Sequence, residues 1–145
     1  MTTPIYEYPE ATTWLYDTLT TSPITGIKDA YEDWAPEGAT GDGDVWIEFE
    51  AQADGSDAAE VAEQRIWTEI PFIVRAVTRG RSTVALKPYA KEIDARLHRK
   101  DGTTTDARII SSVRTGPHQD HWLAQGIEFR ALGGFYNLIV QSLDP

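Results

Sequence analysis

The side chains best suited to chemistry lie close together near residue 120, where His118, Asp120 and His121 occur within four positions. Imidazole and carboxylate groups bind metals, and a functional zinc site needs three or four such ligands at suitable spacing. No third and fourth ligand accompanies the two histidines at a recognisable spacing, and there is no HExxH motif. We therefore expect no functional metal site here, and we predict a loop over Gly116–His121.

Other catalytic patterns are missing from the sequence. The chain has no cysteine and no GxSxG elbow, so the usual activated nucleophiles are absent. It has no Walker loop and no GxGxxG after a strand. Arg79-Gly80-Arg81 is a small basic spot for which a solvated turn is the simplest interpretation. The acidic loop Gly41–Asp44 does not fit calcium, because Trp46 would occupy the fifth ligand position. We predict that the protein is not an enzyme and uses no cofactor.

Composition and charge favour a folded, acidic protein. The chain has 145 residues, a hydrophobic fraction of 41% and five tryptophans, which we interpret as one domain over residues 1–145. Its 23 acidic and 13 basic residues give a formal net charge of −10. Nucleic-acid binding depends on clustered Lys and Arg, so sequence-specific DNA binding is not expected. We see no signal peptide and no apolar run long enough to span a membrane, and expect a soluble protein used inside a cell.

The chain is organised around the segment Ile66–Arg99. Its first part, Ile66–Val77, is rich in β-branched and aromatic residues and predicts a strand, in which Pro71 marks an edge or a bulge. Its second part, Ser82–Leu97, spaces its apolar residues for a helix. Pro88 leaves two alternatives: one kinked helix capped by Ser82, or a loose turn followed by a helix that starts at Pro88.

The remaining elements are shorter or more uniform. Period-two and helical patterns predict a helix over Glu10–Leu19, a weak strand over Ile27–Trp34, and strands over Asp44–Asp54, Asp106–Thr115 and Gln125–Gln141. We expect the last strand to be interrupted at Gly133-Gly134 by a bulge or a tight turn. The order predicts an α+β fold with a mixed or mostly antiparallel sheet and two main helices packed on one face.

Several residues are candidates for a contact surface. Alternation along Asp44–Asp54 points Trp46 outward with its acidic neighbours, and Trp67 shares that face if the two strands form a hairpin. Trp122 is a third outward aromatic. The connection Asp54–Gln64 is long for two paired strands, so it is either a short helical turn, a solvated loop or a partner-binding arm that carries Glu60 and Glu63.

A pattern of segments spread over nearly the whole chain resembles a known family. The segments are Trp14-Leu15, Phe72-Ile73-Val74-Arg75-Ala76, Ile93-Asp94-Ala95-Arg96-Leu97-His98, Ser112-Val113-Arg114 and Phe129-Arg130-Ala131-Leu132-Gly133-Gly134-Phe135-Tyr136-Asn137-Leu138. This arrangement resembles the tail terminator (tail completion) proteins of long-tailed bacteriophages. The aromatic–Arg–x–Leu–Gly–Gly–aromatic stretch near the C-terminus is its most distinctive part.

The resemblance implies a homohexameric ring of α+β subunits, assembled in the host cytoplasm, that caps the tail tube in the virion and joins it to the neck. It implies contacts with the major tail tube protein and a head-to-tail connector or stopper, with DNA passing through the lumen without specific binding. It also implies a long β-hairpin arm at Asp54–Gln64, and no catalytic residues, cofactor or membrane contact. Trp46, Trp67, Trp122, Glu60 and Glu63 are then the expected interface residues.

Two alternatives remain open at the level of sequence. The chain could be another neck protein, such as a head-to-tail stopper. It could instead be a small α+β module that binds or transforms a compact ligand, with the His118–His121 segment beside Trp122 at the wall of a pocket.

Overall fold

Two helices pack on one face of a curled, mixed β-sheet. The structure is a computed structural model that describes residues 7–52, 56–61 and 64–143; for residues 56–61 and 64–66 it describes the backbone only. The helices are α1 (Glu7–Thr20) and α2 (Lys87–Leu97), the second preceded by a 3-10 turn at Thr83–Leu86. The strands are β1 (Ala30–Glu32), β2 (Val45–Ala51), β3 (Ser56–Val61), β4 (Gln64–Arg79), β5 (Lys100–Thr103), β6 (Ala107–Ala124) and β7 (Ile127–Ser142). The predicted α+β fold is confirmed.

The sheet is dominated by three long antiparallel strands. Its order is β1-β2-β4-β7-β6-β5, and β3 pairs with the first residues of β4. Strands β4, β6 and β7 contain 16, 18 and 16 residues, so each extends for roughly 50 Å or more at about 3.3 Å per residue. Among the strands that the structure describes, β1 and β2 run parallel and the other pairs are antiparallel, which makes the sheet mixed as predicted.

Alternation along the strands buries a helix-bearing face. Ile47, Phe72 and Leu138 lie on this face and are fully buried with the apolar side of both helices. Trp14 and Leu15 of α1 join the same core, as their helical spacing predicted. The opposite side of the sheet carries no helix among the described residues, and we call it the helix-free face.

Ser82 and Pro88 begin two successive elements rather than one kinked helix. The Ser82 hydroxyl accepts a hydrogen bond of 3.3 Å from the Ala85 amide at the start of the 3-10 turn. Pro88 then lies in the first turn of α2, where its missing amide hydrogen breaks no helical hydrogen bond. The second of the two alternatives for this segment is therefore correct.

The predicted loop at Gly116–His121 is wrong, because these residues lie inside β6. Each of Gly116–His121 is paired with a residue of β7, and the strand runs on to Ala124. The reversal comes later, at Gln125 and Gly126, whose φ angles of 51° and 77° give a two-residue turn that matches the strand twist. Glycine and proline at positions 116 and 117 are usually found in turns, but here both are carried within a paired strand.

The predicted interruption of the last strand at Gly133-Gly134 is also wrong. These glycines pair with Arg75 and Val74 without a register shift, so β7 passes straight through them. The irregularities fall in β6 instead, between Ile109 and Ser111 and between Arg114 and Gly116. Glycine is needed at position 133 because a Cβ there would collide with the backbone of β4.

Pro71 lies at a local edge inside the sheet. It pairs with Asn137 of β7 on one side, while its carbonyl accepts a 2.8 Å hydrogen bond from the Gln52 amide on the other. There β2 has ended, at the pair Ala51–Phe72, and β3 has not yet begun. The missing amide hydrogen of Pro71 therefore costs no strand-ladder bond.

The segment between β2 and β4 forms a β-hairpin where the structure describes it. β3 pairs antiparallel with β4, which excludes the short helical turn considered for this segment and agrees with the long arm. Glu60 lies in β3 opposite Arg65. Glu63 lies outside the described residues, so its predicted interface role stays a prediction, as does that of Glu60.

Candidate functional site on the helix-free face

An ion pair in the middle of the sheet organises the helix-free face. Arg75 of β4 stands directly opposite Glu48 of β2 and donates from Nη2 to Glu48 Oε1 at 3.0 Å. The two side chains are only 13% and 6% exposed. Removing two charges from water is costly, so such a pair requires good geometry and further hydrogen bonds to its remaining atoms.

The second carboxylate oxygen of Glu48 supplies those bonds. Glu48 Oε2 accepts from the Trp46 indole Nε1 at 2.9 Å and from the Ala35 amide at 3.3 Å. One buried carboxylate thus joins β4, β2 and the loop after β1. Its charge is matched by one guanidinium and two neutral donors, which leaves little capacity to bind a ligand.

Trp46 is buried, which corrects the expectation of an exposed contact residue. It points to the helix-free face as the alternation predicted, yet it is 1% exposed. Phe129 covers it edge-on, with ring centroids 6.3 Å apart at 81°. Val77 and Ala131 complete this second small core. A side chain on the face opposite the main core is expected to contact solvent, but here the β6–β7 hairpin and the loop after β1 cover Trp46.

Trp122 links the small core to the ion pair. Its ring stacks on Phe129 with centroids 5.5 Å apart and planes 10° from parallel. The Arg75 guanidinium carbon lies 4.9 Å from the centroid of the same indole, within the range of a cation–π interaction. Trp122 remains partly exposed, so it stays a candidate for contact with another molecule.

Trp67 does not join the other tryptophans. Trp46 pairs with Val77 in β4, which is ten residues along the strand from Trp67, or roughly 33 Å away. Trp67 instead lies opposite Ala59 in the β3–β4 hairpin and is partly exposed. Trp67 lies on the face of Trp46 by strand alternation, but the two side chains do not form one surface, because β2 pairs with the last part of β4 and Trp67 lies in its first part.

His118 extends the Arg75 network along β6. Its Nε2 lies 3.3 Å from Arg75 Nη1, so this nitrogen accepts and the ring is neutral. Asp120 Oδ2 lies 3.7 Å from the same Arg75 nitrogen. Phe135 contacts the imidazole edge-on, with centroids 5.5 Å apart. Burial and the Arg75 charge lower the pKa of His118, and the Asp120 carboxylate opposes them.

The histidines do not converge on a ligand. His118 and Asp120 lie on the helix-free face, whereas His121 points to the other side of β6 and pairs with Glu128 across the hairpin. Within residues 7–52, 56–61 and 64–143, no group of three metal-ligating side chains is found. The two histidines therefore do not form one site.

We predict that His118 titrates below its ordinary pKa of 6.5. Because folding lowers this pKa, the unfolded chain binds the proton more readily, and His118 makes the folded state less stable as the pH falls below 6.5. NMR titration of the imidazole should give a midpoint under 6.5. The variant His118→Gln should lose that part of the acid sensitivity in urea unfolding, and an unshifted midpoint would contradict the assigned environment.

Trp34 borders this network and was not singled out from the sequence. It is 72% exposed, at the rim of a groove of about 420 Å³ that also contacts Trp122 and Phe129. The sequence signal was present, because Trp34 directly precedes the turn Ala35–Gly38. A tryptophan at the end of a weak strand and before a turn has little sheet to cover it.

Two further concave regions are present, one on the helix-bearing face and one at the hairpin end of the sheet. One, of about 580 Å³, separates α2 from β6 and β7; there Tyr136 donates to Asp94 Oδ1 at 2.9 Å, and Arg114 Nε lies 3.9 Å from the same oxygen. Burial and the Asp94 contact raise the pKa of the Tyr136 hydroxyl. The other, of about 590 Å³, is lined by Arg79, Arg81 and Arg130 near the hairpin end.

Comparison with known proteins adds no relative. No family model matches the chain, and no curated protein matches it. Neither helix in the described part of the chain has the length and apolar character needed to cross a membrane.

Proposed function

We propose that this chain is a structural virion protein, a tail terminator that closes the phage tail tube as a homohexameric ring and forms the joining surface to the neck. The observation that carries the proposal is that the helix-free face has its polar groups satisfied internally and one large aromatic side chain exposed. The polar groups of Arg75 and Glu48 are bonded to one another, and Trp34 beside them is left exposed on an ordered loop. Aromatic side chains held in this way are typical anchors of protein interfaces.

Exposed sheet edges support the same proposal. β1 and β5 form the two ends of the strand order, so each has one side without a strand partner among the described residues. Such edges are suited to pairing or packing with another chain. A ring of identical subunits requires contacts in which one surface meets a different surface of its neighbour. Trp67 and Trp122, both partly exposed, remain candidate interface residues.

The acidic charge is consistent with a passage for DNA. Six chains, each with a formal net charge of −10, would carry a total charge of −60. Any share of this charge that faces a lumen repels phosphates and limits adhesion. The proposed partners are therefore other copies of the chain, the major tail tube protein and a head-to-tail connector, with no specific grip on DNA.

Electron microscopy of the purified protein mixed with isolated tail tubes tests the proposal. We expect a sixfold collar at one end of each tube, and capped tubes that join to heads. Tubes without the protein are the control. Attachment to the head connector without attachment to tubes would indicate the stopper alternative instead. A subunit that forms no collar beside a tube would contradict the proposal.

A ligand-binding module is the second candidate. The groove between α2 and the sheet supports it, because the hydroxyl of Tyr136 and the charges of Asp94 and Arg114 meet there beside apolar walls. A compact ligand for this groove would raise the melting temperature by an amount that grows with the logarithm of its concentration relative to its Kd. The variant Arg114→Ala should abolish that shift.

A further inference from the structure

Two surfaces of opposite charge lie at the same end of the sheet. The first, the Trp34 patch, consists of Trp34 with the carboxylates of Asp33, Glu37 and Glu50, all of which line the 420 Å³ groove. The second, the arginine pocket, consists of Arg79, Arg81 and Arg130 around the 590 Å³ cavity. Both adjoin the tip of the β6–β7 hairpin, since Ile127 lines each of them.

The Trp34 patch is held in place by its backbone. The amide of Asp33 donates to the Phe49 carbonyl at 2.9 Å, and that of Trp34 to the Glu32 carbonyl at 2.9 Å. The next amide, of Ala35, is held by the buried Glu48 carboxylate. Asp33 adopts a φ of 67°, a left-handed conformation that is uncommon outside glycine. An exposed indole on such an ordered loop loses little entropy when it docks.

The carboxylates of the patch are free to receive a cation. Those of Asp33, Glu37 and Glu50 form no ion pair with any residue that the structure describes. The positive charge in the groove comes from Arg75, which Glu48 already neutralises, and from Arg79 at the far wall. An exposed indole beside three acids that have no ion-pair partner among the described residues fits a guanidinium group, through cation–π and charge-assisted contacts.

The arginine pocket is a basic surface, complementary in charge to the Trp34 patch, in a chain whose formal net charge is −10. Arg130 is held by Glu128 at 2.8 Å, and Asp42 also lines the cavity. Arg81 is exposed and makes no ion pair within the described part of the chain. The Nε of Arg79 is buried and finds no hydrogen-bond partner among the described residues. An acceptor group brought to this pocket would complete its hydrogen bonds.

The two surfaces meet at the hairpin end of the sheet and extend to opposite sides from there. Arg79 pairs with Phe129, points to the helix-free face and lines both cavities. Phe129 and Ala131 belong to the core on the helix-free face, so Arg130 between them points to the helix-bearing face. Glu50 alternates with the buried Phe49 of the helix-bearing core and lies on the helix-free face. The two surfaces differ in charge and in composition, so a contact between them joins unlike surfaces of two copies. They suit a head-to-tail contact, in which each copy uses one surface on each neighbour.

We propose that the Trp34 patch of one copy docks on the arginine pocket of a second copy. Trp34 lies over the exposed Arg81 guanidinium, and the free carboxylates face Arg79 and Arg130. This inference rests on the proposed function, because it names the contact through which the subunits of the ring associate.

Charge reversal on each surface tests the contact. Glu37→Lys/Glu50→Lys makes both surfaces of one copy basic, and Arg81→Glu/Arg130→Glu makes both surfaces acidic. We expect each variant alone to associate at least about tenfold more weakly than the wild type. An equimolar mixture should regain rings in which the two variants alternate, detectable by their masses in native mass spectrometry. Rings that persist in either variant alone, or a mixture that stays monomeric, would overturn the inference.

A second pair of variants tests whether association depends on Trp34 itself or on any exposed hydrophobic side chain. Trp34→Ala should abolish association without changing the fold, since the side chain is 72% exposed. Val84→Ala is the matched control, because Val84 is 76% exposed and lies outside both surfaces. Equal association of the two variants would remove Trp34 from the contact. Glu10→Lys/Asp17→Lys on α1 controls for the altered net charge.

Failure of the inference is distinguishable from failure of the proposed function. Where the wild type assembles only on tail tubes, all variants are compared on tubes by electron microscopy. Collars that survive both charge reversals overturn the head-to-tail contact and leave the ring in place. Loss of tube binding with intact free rings would assign the Trp34 patch to the tube protein instead. A wild type with neither collars on tubes nor self-association at about 1 mM contradicts both.

Discussion

Replacing Gly133 by alanine is expected to lower the free energy of unfolding by about 3 kcal/mol or more, the upper end of the usual cost of overpacking. A Cβ at this position would collide with the Val74 carbonyl and would come within 2.5 Å of the Arg75 Cα. Both obstacles are backbone atoms of β4, which lies in the middle of the sheet between β2 and β7. Neither can rotate away, so relief requires the two strands to separate and lose hydrogen bonds.

Urea unfolding monitored by tryptophan fluorescence measures this effect. Gly116→Ala is the matched control, because it lies in the adjacent strand β6 and the nearest atom to its added Cβ is 3.9 Å away, on the Phe135 ring. The control should be neutral or slightly stabilising, since glycine inside a strand costs roughly 0.5–1 kcal/mol relative to alanine. Equal stability of the two variants would mean that β4 and β7 do not approach as closely as the structure has them.

Replacing Arg75 by methionine is expected to lower the free energy of unfolding by about 3–5 kcal/mol, the usual cost of breaking a buried ion pair from one side. Methionine keeps much of the arginine stem but leaves the Glu48 carboxylate without its counter-charge in a site that is 6% exposed. It also removes the cation over the Trp122 ring. The remaining donors, Trp46 and Ala35, are neutral and cannot balance a full charge.

The double variant Arg75→Met/Glu48→Met identifies the cause. If the uncompensated charge is responsible, removing it should recover most of the lost stability. The double variant should then unfold at a higher urea concentration than Arg75→Met. Lys28→Met is the exposed comparison, because the Lys28–Asp44 pair lies 3.2 Å apart with side chains 48% and 35% exposed. Its loss should cost about 1 kcal/mol or less. A similar cost for Lys28→Met and Arg75→Met would contradict the buried environment of Glu48.

Gly133 and Arg75 are neighbours in the middle of the sheet, which explains why both substitutions are expected to cost much stability. Gly133 pairs with Arg75 on one side and with His118 on the other. Because Gly133 has no side chain, the Arg75 guanidinium can pass over β7 to reach His118 of β6. A glycine that looked like a strand breaker is therefore the position that lets a buried arginine bridge β4 and β6.

The elements that depend on local pattern were predictable from the sequence. α1 extends the predicted helix Glu10–Leu19 by a few residues, β2 lies inside the predicted strand Asp44–Asp54, and α2 ends at Leu97 as the apolar spacing indicated. Such elements are set by periodicity and by residues such as Pro88 that have few allowed conformations. The segregation of helices and strands was enough to predict the α+β class.

The errors share one cause, which is that pairing partners are distant in sequence. Gly116-Pro117 and Gly133-Gly134 look like breaks locally, but β6 and β7 pair along their whole length and carry these residues through as strand. The large separation in sequence is also why the candidate site was not predicted. Glu48, Arg75 and His118 are separated by 27 and 43 positions and meet only when β2, β4, β7 and β6 lie side by side.

Local periodicity and the acidic composition thus determined the class of fold, the helix-facing side chains and the absence of recognisable catalytic motifs, because these properties reside in neighbouring residues. Strand order and register decided the rest: that Trp46 is covered, that Trp67 is remote from it, and that Trp34 is exposed beside the carboxylates of Asp33, Glu37 and Glu50. Exposure depends on what the rest of the chain lays over a side chain, and that is a property of tertiary packing.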